Sequence, residues 1–321
     1  MTVRSDHRAS ASEPSRDDRA TGDARLLRLA SAASVAMAAL LTLAKAYVWQ
    51  AGGSTAMLAS MADSALDLLA SLITFWGVRT ALRPPDREHR FGHAKAEGLS
   101  ALAQAAIMLG SASFVMLHAV ERIISPQTVT RAVEAYTVSV LAILLTVALV
   151  VLHSHAIRRT GSLAIRADRL HYAGDLLLNL AAMAGVALAT LTPFARADGL
   201  FGMVIAGIIG WNALQIGKSA IDMLMDRELT GTDRDRIFNI ALGNPLVRGL
   251  HELKTRSAGA HVFIQLHIEV DPAMTLRAAH LVSTEVEAAL SEAFPAAEII
   301  IHVDPLGSEG ADLTGRALDA Q

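Results

Sequence analysis

Two aspartates interrupt one long apolar stretch, Ser54–Leu82, which reads STAMLASMADSALDLLASLITFWGVRTAL. A stretch of this length can cross a bilayer core, which is about 30 Å thick and takes about 20 helical residues. A carboxylate near the bilayer centre costs about 2.5–3.5 kcal/mol on insertion scales, so it needs a compensating partner. Asp63 and Asp67 are four residues apart and lie on one helical face. The stretch therefore predicts a buried cation site or a proton relay.

Six apolar segments follow one another in this chain of 321 residues, of which 52% are hydrophobic. They are Leu26–Gln50, Ser54–Leu82, Glu97–Ile124, Val133–His153, Ser162–Leu191 and Ala197–Ile221. We therefore expect an α-helical membrane protein with a six-transmembrane-helix bundle over residues 25–225. Residues 1–24 contain little that could be buried and are expected to form a disordered N-terminal tail.

Composition excludes several other classes of protein and site. The formal net charge of −3 gives no indication of nucleic-acid binding. The chain has no cysteine, which excludes disulfides and thiolate ligands for soft metals such as Cu(I). Only 4% of the residues are aromatic, which argues against an aromatic pocket for an organic substrate. Any metal must therefore be held by histidine and carboxylate side chains.

Positive charges in the loops predict the orientation of the bundle, because cytoplasmic loops are enriched in Lys and Arg. The loops after the second and fourth segments carry most of them: Arg83, Arg87, Arg90, Lys95, Arg158, Arg159, Arg166 and Arg169. The alternate loops carry only Arg131 and Arg196. Both termini are therefore expected in the cytoplasm. We expect a multi-pass protein of the cell inner (plasma) membrane, surrounded by lipid bilayer.

The fifth segment repeats the pattern of the second. His171 and Asp175 are again four residues apart on one helical face. Since the two helices would run in opposite directions, Asp63 would lie level with Asp175, and Asp67 with His171. Three carboxylates and one imidazole suit a tetrahedral Zn²⁺ or a similar divalent ion. We therefore expect a four-ligand metal cage between these helices.

Other titratable residues are expected at the cytoplasmic boundary of the bundle. Asp86, His89 and His93 lie three and four residues apart in the loop after the second segment. They can hold a divalent cation, and a solvated basic loop is the alternative. Asp168 is expected to be a solvated charge at a helix end, and His153 to lie at the membrane interface.

After the sixth segment the sequence changes to the pattern of a soluble α+β domain, residues 226–306. Helices are predicted at Arg234–Leu242 and Leu276–Phe294, and strands at Val247–Arg256, His261–Val270 and Glu298–Asp304. The order αββαβ implies a sheet with helices on one face. Two or more of five metal-ligating residues are expected to converge on metal: His251, His267, His280, His302 and Asp304. Residues 307–321 are expected to form a disordered C-terminal tail.

Four motifs carry a resemblance to a known family that covers Leu26 to Pro305. They are MADSALDLLASL, PDREHRFGHAKAEGLSALAQ, RADRLHYAGDLLLN and IIIHVDP. On these motifs the chain resembles the cation diffusion facilitators, and among them the bacterial ferrous-iron and zinc efflux pumps. The resemblance implies a homodimeric, proton-coupled exporter of divalent cations whose cytoplasmic domain is metallochaperone-like.

The resemblance also implies roles for single residues. It makes Asp63, Asp67, His171 and Asp175 the transport site, and Asp86, His89 and His93 a loop site. It makes His251, His267, His280, His302 and Asp304 a dinuclear site of the cytoplasmic domain. It further implies an interlock between Lys95 and Asp226 near the dimer interface, and an apolar gate at Leu170.

Ligand chemistry predicts how such a cage would work. Metal binding requires deprotonated ligands, so metal and protons compete for the same groups. We expect an antiporter rather than an enzyme, which exports divalent transition-metal cations from the cytoplasm by alternating access. One histidine among three acids favours Zn²⁺, with Fe²⁺, Cd²⁺ and Co²⁺ as further candidates, each as substrate and as structural or regulatory ion.

Two alternatives from other functional classes stay open at this point. A membrane-bound divalent-metal sensor would use the soluble histidine cluster and move no ion. An intramembrane metalloenzyme would need an open coordination position and a general base, often in an HExxH motif, which this sequence lacks.

Overall fold

The computed structural model describes residues 16–52, 55–124, 133–191, 197–259, 261–295 and 297–307. The N-terminal part is a bundle of six long helices. They are α1 (Arg16–Gly52), α2 (Thr55–Ala81), α3 (Ala96–Ile124), α4 (Val133–Thr160), α5 (Leu163–Leu191) and α6 (Ala197–Leu224). The prediction of an α-helical fold for the membrane domain is confirmed.

Within the described part of the chain, four of these helices, α1, α3, α4 and α6, contain segments long and apolar enough to cross a membrane. Large apolar side chains also cover the outside of the bundle, among them Leu43, Leu117 and Trp211, each more than 60% exposed. Such a surface is typical of a protein that lies in lipid rather than in water. Helices α2 and α5 have 27 and 29 residues and carry the two pairs of predicted metal ligands. A count of six spans stays a prediction.

Helix α1 begins at Arg16 and so includes part of the predicted tail, 1–24. Asp23 forms an ion pair of 3.0 Å with Arg159 in the last turn of α4, which gives this charged segment a partner. Residues 1–15 and 308–321, which make up most of the two predicted tails, lie outside the described residues.

Small residues let the helices of the bundle approach closely. Helix α3 packs most extensively against α6, where a Cβ placed at Gly202 would lie 3.2 Å from the Cβ of Ala119. In lipid, helices associate through such close packing because burial of apolar surface gives little driving force. Helix α2 also contacts α5, so the two helices with the predicted metal ligands are neighbours.

The N-terminus of α5 is fixed by residues before it and by α3. Gly161 adopts a φ of +66°, which allows the tight turn from α4 into α5. The Oγ of Ser162 accepts a hydrogen bond from the N–H of Ile165 at 3.3 Å. The buried Glu97 of α3 accepts one from the N–H of Leu163 at 3.0 Å. A carboxylate at a helix N-terminus is stabilising, so Glu97 holds α5 in place against α3.

The C-terminal part is an α+β domain with the predicted order αββαβ. Its elements are α7 (Gly231–Leu242), β1 (Gly249–Ala258), β2 (His261–Val270), α8 (Leu276–Ala293) and β3 (Ala297–Pro305). The sheet has the order β1-β2-β3, with β1 antiparallel and β3 parallel to β2. Ile264, Leu266 and Ile268 of β2 are buried with Val286 and Leu290 of α8. Since side chains alternate along a strand, the other face of the sheet is free to carry ligands.

Gly77 of α2 lies directly against α3 and provides a test of this packing. A Cβ there would overlap the side chain of Ser100 and lie 3.1 Å from the backbone oxygen of Ala96. Gly77→Ala should lower the free energy of unfolding by about 1–3 kcal/mol, because overpacking moves the helices apart. Thermal unfolding in detergent measures this. Gly110→Ala, where no described atom lies within 4 Å, is the control. Equal melting temperatures for the two variants would contradict the packing argument.

Candidate metal sites

Three of the four residues predicted for the cage meet between α2 and α5. The Nε2 of His171 lies 3.1 Å from Oδ1 of Asp67 and 3.4 Å from Oδ2 of Asp175. One ligand atom from each residue lies within 4.8 Å of the other two, a spacing that suits one metal ion. The His171 side chain is 6% exposed, and those of Asp67 and Asp175 are 25% and 35% exposed. The cluster, hereafter the membrane cluster, thus offers two carboxylates and one imidazole.

Asp63, the fourth predicted ligand, lies one turn from Asp67 on α2 and is exposed. It stands outside the group of three whose atoms meet. Its carboxylate interacts electrostatically with Asp67, His171 and Lys45. Asp63 is therefore close enough to the membrane cluster to interact with it electrostatically. Its role as a fourth metal ligand stays a prediction.

Leu170, the predicted apolar gate, precedes His171 on α5. Its partly buried side chain packs against two apolar clusters of the bundle, which include Ile209 and Ile216 of α6. This position places an apolar side chain next to the membrane cluster on the side of α6. Its role as a gate stays a prediction.

Asp168 and His153 lie deep in the bundle, and the expectations of a solvated charge and an interfacial histidine are wrong. Both side chains are 0% exposed. Asp168 accepts hydrogen bonds from Ser34 Oγ at 2.6 Å and from Gln104 Nε2 at 3.3 Å. The His153 Nε2 lies 3.0 Å from Ser34 Oγ and 3.6 Å from Asp168 Oδ2. No local pattern in the sequence predicts this network, because its members come from α1, α3, α4 and α5.

The loop residues Asp86, His89 and His93 come together after α2. The Asp86 oxygens lie 3.4 Å from His89 Nδ1 and 3.3 Å from His93 Nε2. The three residues can supply ligand atoms to one metal ion. The backbone N–H of His89, together with that of Glu88, donates to the Asp86 carboxylate and lowers its pKa. Asp86 is therefore ionised near neutral pH, and a carboxylate must be ionised to bind a metal ion.

In the cytoplasmic domain, strand register aligns three histidines in one row. His251 of β1 lies opposite His267 of β2, which in turn lies opposite His302 of β3. The Asp304 carboxylate lies 3.4 Å from His251 Nε2, 2.9 Å from His267 Nδ1 and 3.2 Å from His302 Nε2. Asp304 is thus in a position to bridge metal ions held by these histidines. We call these four residues the sheet cluster.

Glu252 and Glu269 also lie at the sheet cluster, although the sequence analysis did not predict them as ligands. His280, which it did predict, lies elsewhere. Glu269 Oε1 lies 3.3 Å from His251 Nδ1, and Glu252 Oε2 lies 3.8 Å from His267 Nε2. The alternation of β2 could have placed Glu269 on this face. Glu252 sits in a β-bulge with a φ of +48°, for which the sequence gives no signal. His280 is exposed on α8 and is not brought to the sheet cluster, because α8 covers the other face of the sheet.

Lys95 and Asp226 form an ion pair of 2.9 Å where the bundle joins the cytoplasmic domain. Arg256 of β1 adds a second ion pair to Asp226 at 3.3 Å. Partial burial raises the pKa of Asp226, but the hydrogen bond and charge of Lys95, together with Arg256, outweigh it and lower this pKa overall. Asp226 therefore stays ionised and connects the turn before α3 to β1 within one chain. Its role in an interlock at a dimer interface stays a prediction.

A helical membrane domain with an internal cluster of metal-ligand side chains, followed by a small α+β domain with a second such cluster, is typical of metal-cation transporters. Comparison with known proteins agrees with this class. The family described as "Cation efflux transmembrane domain" matches residues 31–225, and "Cation efflux protein, cytoplasmic domain" matches residues 229–306. The chain belongs to this cation efflux family, the cation diffusion facilitators.

Relatives of similar length are named as efflux pumps. The cation-efflux pump FieF of Shewanella oneidensis is 45% identical over 283 residues, 88% of this chain and 95% of that protein. FieF of Pectobacterium carotovorum is 41% identical over 293 residues, 91% of this chain and 97% of that protein. The metal-bound C-terminal domain of the CzcD transporter from Thermotoga maritima is 29% identical, covers 25% of this chain and 99% of that chain, with a TM-score of 0.24. The family match and the nearly full-length relatives make the chain a cation efflux pump rather than an enzyme.

The buried network around Asp168 predicts a large effect on stability. Asp168→Ala removes the buried hydrogen bonds that Ser34 and Gln104 donate to this carboxylate, and each bond of this kind contributes about 0.5–3 kcal/mol. The melting temperature in detergent should fall by several degrees. Arg166→Ala, at an exposed position on the same helix, is the control and should change it little. A melting temperature unchanged by Asp168→Ala would show that the network does not support the bundle.

Proposed function

We propose that the chain is a proton-coupled antiporter that exports divalent transition-metal cations, Zn²⁺ foremost, from the cytoplasm by alternating access. One observation supports this most directly. Asp67, His171 and Asp175 lie within reach of a single ion, inside the helical domain of a cation efflux pump. Fe²⁺, Cd²⁺ and Co²⁺ are further candidate substrates.

The donor set favours Zn²⁺ among these metals. Imidazole nitrogen and carboxylate oxygen both bind Zn²⁺, and four ligands in a tetrahedron are its usual shell. The membrane cluster supplies three protein ligands, and Asp63 is the candidate for the fourth, since it lies one turn away on α2. A larger, oxygen-rich octahedral shell, as Mn²⁺ prefers, would need more carboxylates or carbonyls.

Proton coupling follows from the same ligands. Imidazole and carboxylate groups bind metal in their deprotonated forms, so metal binding releases protons and protonation releases metal. An inward-open membrane cluster would take the ion from the cytoplasm, and an outward-open cluster would exchange it for protons. The proton gradient across the membrane would then drive the export of metal.

The topology needed for this cycle places both termini in the cytoplasm. The loops that would face inward carry the excess of Arg and Lys, as expected for cytoplasmic loops. In this orientation the loop site and the sheet cluster both lie on the cytoplasmic side, from which the substrate comes. We assign the pump to the inner (plasma) membrane.

The cytoplasmic domain acts as a metal-dependent regulator of a homodimer. Its sheet cluster gathers three histidines and Asp304 on the sheet face opposite the helices. Metal binding there would tighten the pairing of two cytoplasmic domains, and the ion pairs of Asp226 with Lys95 and Arg256 would pass this change to the bundle.

The membrane cluster is tested by Asp175→Ala in inverted vesicles loaded with a zinc indicator. The substitution removes one of three meeting ligands, so zinc uptake driven by a pH gradient should fall to background. Asn179→Ala, one turn further along α5 and exposed, is the control and should retain uptake. A folded Asp175→Ala protein that transports zinc at the normal rate would show that the membrane cluster has no part in transport. If the protein were a sensor that moves no ion, even the unmodified protein would show no zinc uptake.

Regulation by the cytoplasmic domain is tested by His302→Ala. This variant weakens the sheet cluster and leaves the membrane cluster intact, so half-maximal transport should require a several-fold higher zinc concentration. The maximal rate should change less. His261→Ala, at the exposed start of β2, is the matched control. Zinc dependence identical to that of the unmodified protein would exclude this regulatory role.

A further inference from the structure

The side chain of Lys45 places a positive charge near the membrane cluster, and the metal ligands named above do not include it. Lys45 belongs to the apolar segment Thr21–Tyr47 of α1. Its Nζ donates a hydrogen bond to Ser64 Oγ at 2.6 Å. Ser64 is 2% exposed and adjoins Asp63 in the sequence. The charge of Lys45 acts on the carboxylates of Asp63 and of Asp175.

A lysine near the end of a membrane helix ordinarily extends towards the water interface. Lys45 instead points across to α2, where Ser64 holds its ammonium group. Thr42, almost one turn earlier on α1, donates to the backbone oxygen of Ser64 at 2.8 Å. Two side chains of α1 therefore bind the same residue of α2, which holds the ammonium group at the position that directly follows Asp63.

We propose that Lys45 is a tethered counter-cation of the transport site. It neutralises part of the carboxylate charge while the site is empty, and it lowers the affinity for the divalent ion so that the ion can leave. This inference rests on the proposed function, since it assigns a role to Lys45 in the same transport cycle.

The charge balance of the site supports this role. With His171 neutral as a ligand, the three carboxylates of Asp63, Asp67 and Asp175 together with Lys45 and one divalent ion carry no net charge. Uncompensated charge inside a bilayer is costly, so a neutral loaded site favours the conformational change that exposes it outward. Without Lys45 the carboxylates would attract the ion more strongly, since like-charge repulsion within a protein is only weakly screened.

The test is zinc flux into proteoliposomes that contain full-length Lys45→Gln protein, with KM and kcat measured separately. Removal of the charge should lower KM about tenfold, because the site then binds zinc more tightly. The kcat should fall as well, because release becomes slower. Lys45→Arg keeps the charge and should restore values close to those of the unmodified protein. Lys218→Gln removes an exposed lysine of α6 and is the control.

Structural damage to the protein would not lower KM. A lower KM therefore distinguishes the loss of a counter-charge from such damage. If Lys45→Gln does not fold, Lys45→Met keeps the unbranched stem and is measured in its place. An unchanged or raised KM in the folded variant would overturn the role of Lys45. The Asp175→Ala measurement is independent of this result, so zinc flux that depends on Asp175 but not on Lys45 would leave the proposed function standing.

Discussion

The contact of His171 with the carboxylates of Asp67 and Asp175 is the interaction on which the bundle depends. Ionisable groups inside a bilayer are costly unless they face one another or bind an ion. Their placement requires α2 and α5 to be neighbours, and it requires Asp67 and His171 to lie at the same depth. The three side chains of this cluster meet only because these two helices pack as neighbours.

The surroundings of α5 show how this placement is maintained. Glu97 of α3 binds the first N–H groups of α5, and Asp168 is bound by Ser34 of α1 and Gln104 of α3. Polar contacts of this kind supply association energy that lipid does not provide. Helix α5 is therefore held near its N-terminus by α1 and α3, while His171 and Asp175 lie further along it.

In the cytoplasmic domain, strand pairing rather than helix packing brings the candidate metal ligands together. Its sheet cluster depends on strand register, since the parallel pairing of β2 with β3 places His302 beside His267 and Asp304 beside Glu269. A shift of one residue would turn these side chains into the core. The ion pairs of Asp226 with Lys95 and Arg256 join this domain to the bundle.

The sequence by itself determined the long apolar helices, the αββαβ domain and the spacing of Asp63, Asp67, His171 and Asp175, because periodicity and hydropathy are local properties. It also indicated the family. Only the tertiary structure decided that Asp168 is buried, that His280 lies away from the sheet cluster and that Glu252 approaches it. These facts depend on which helices close over a residue, which face of a sheet a helix covers and where a strand bulges. Such contacts join residues far apart in the chain, and no local pattern records them.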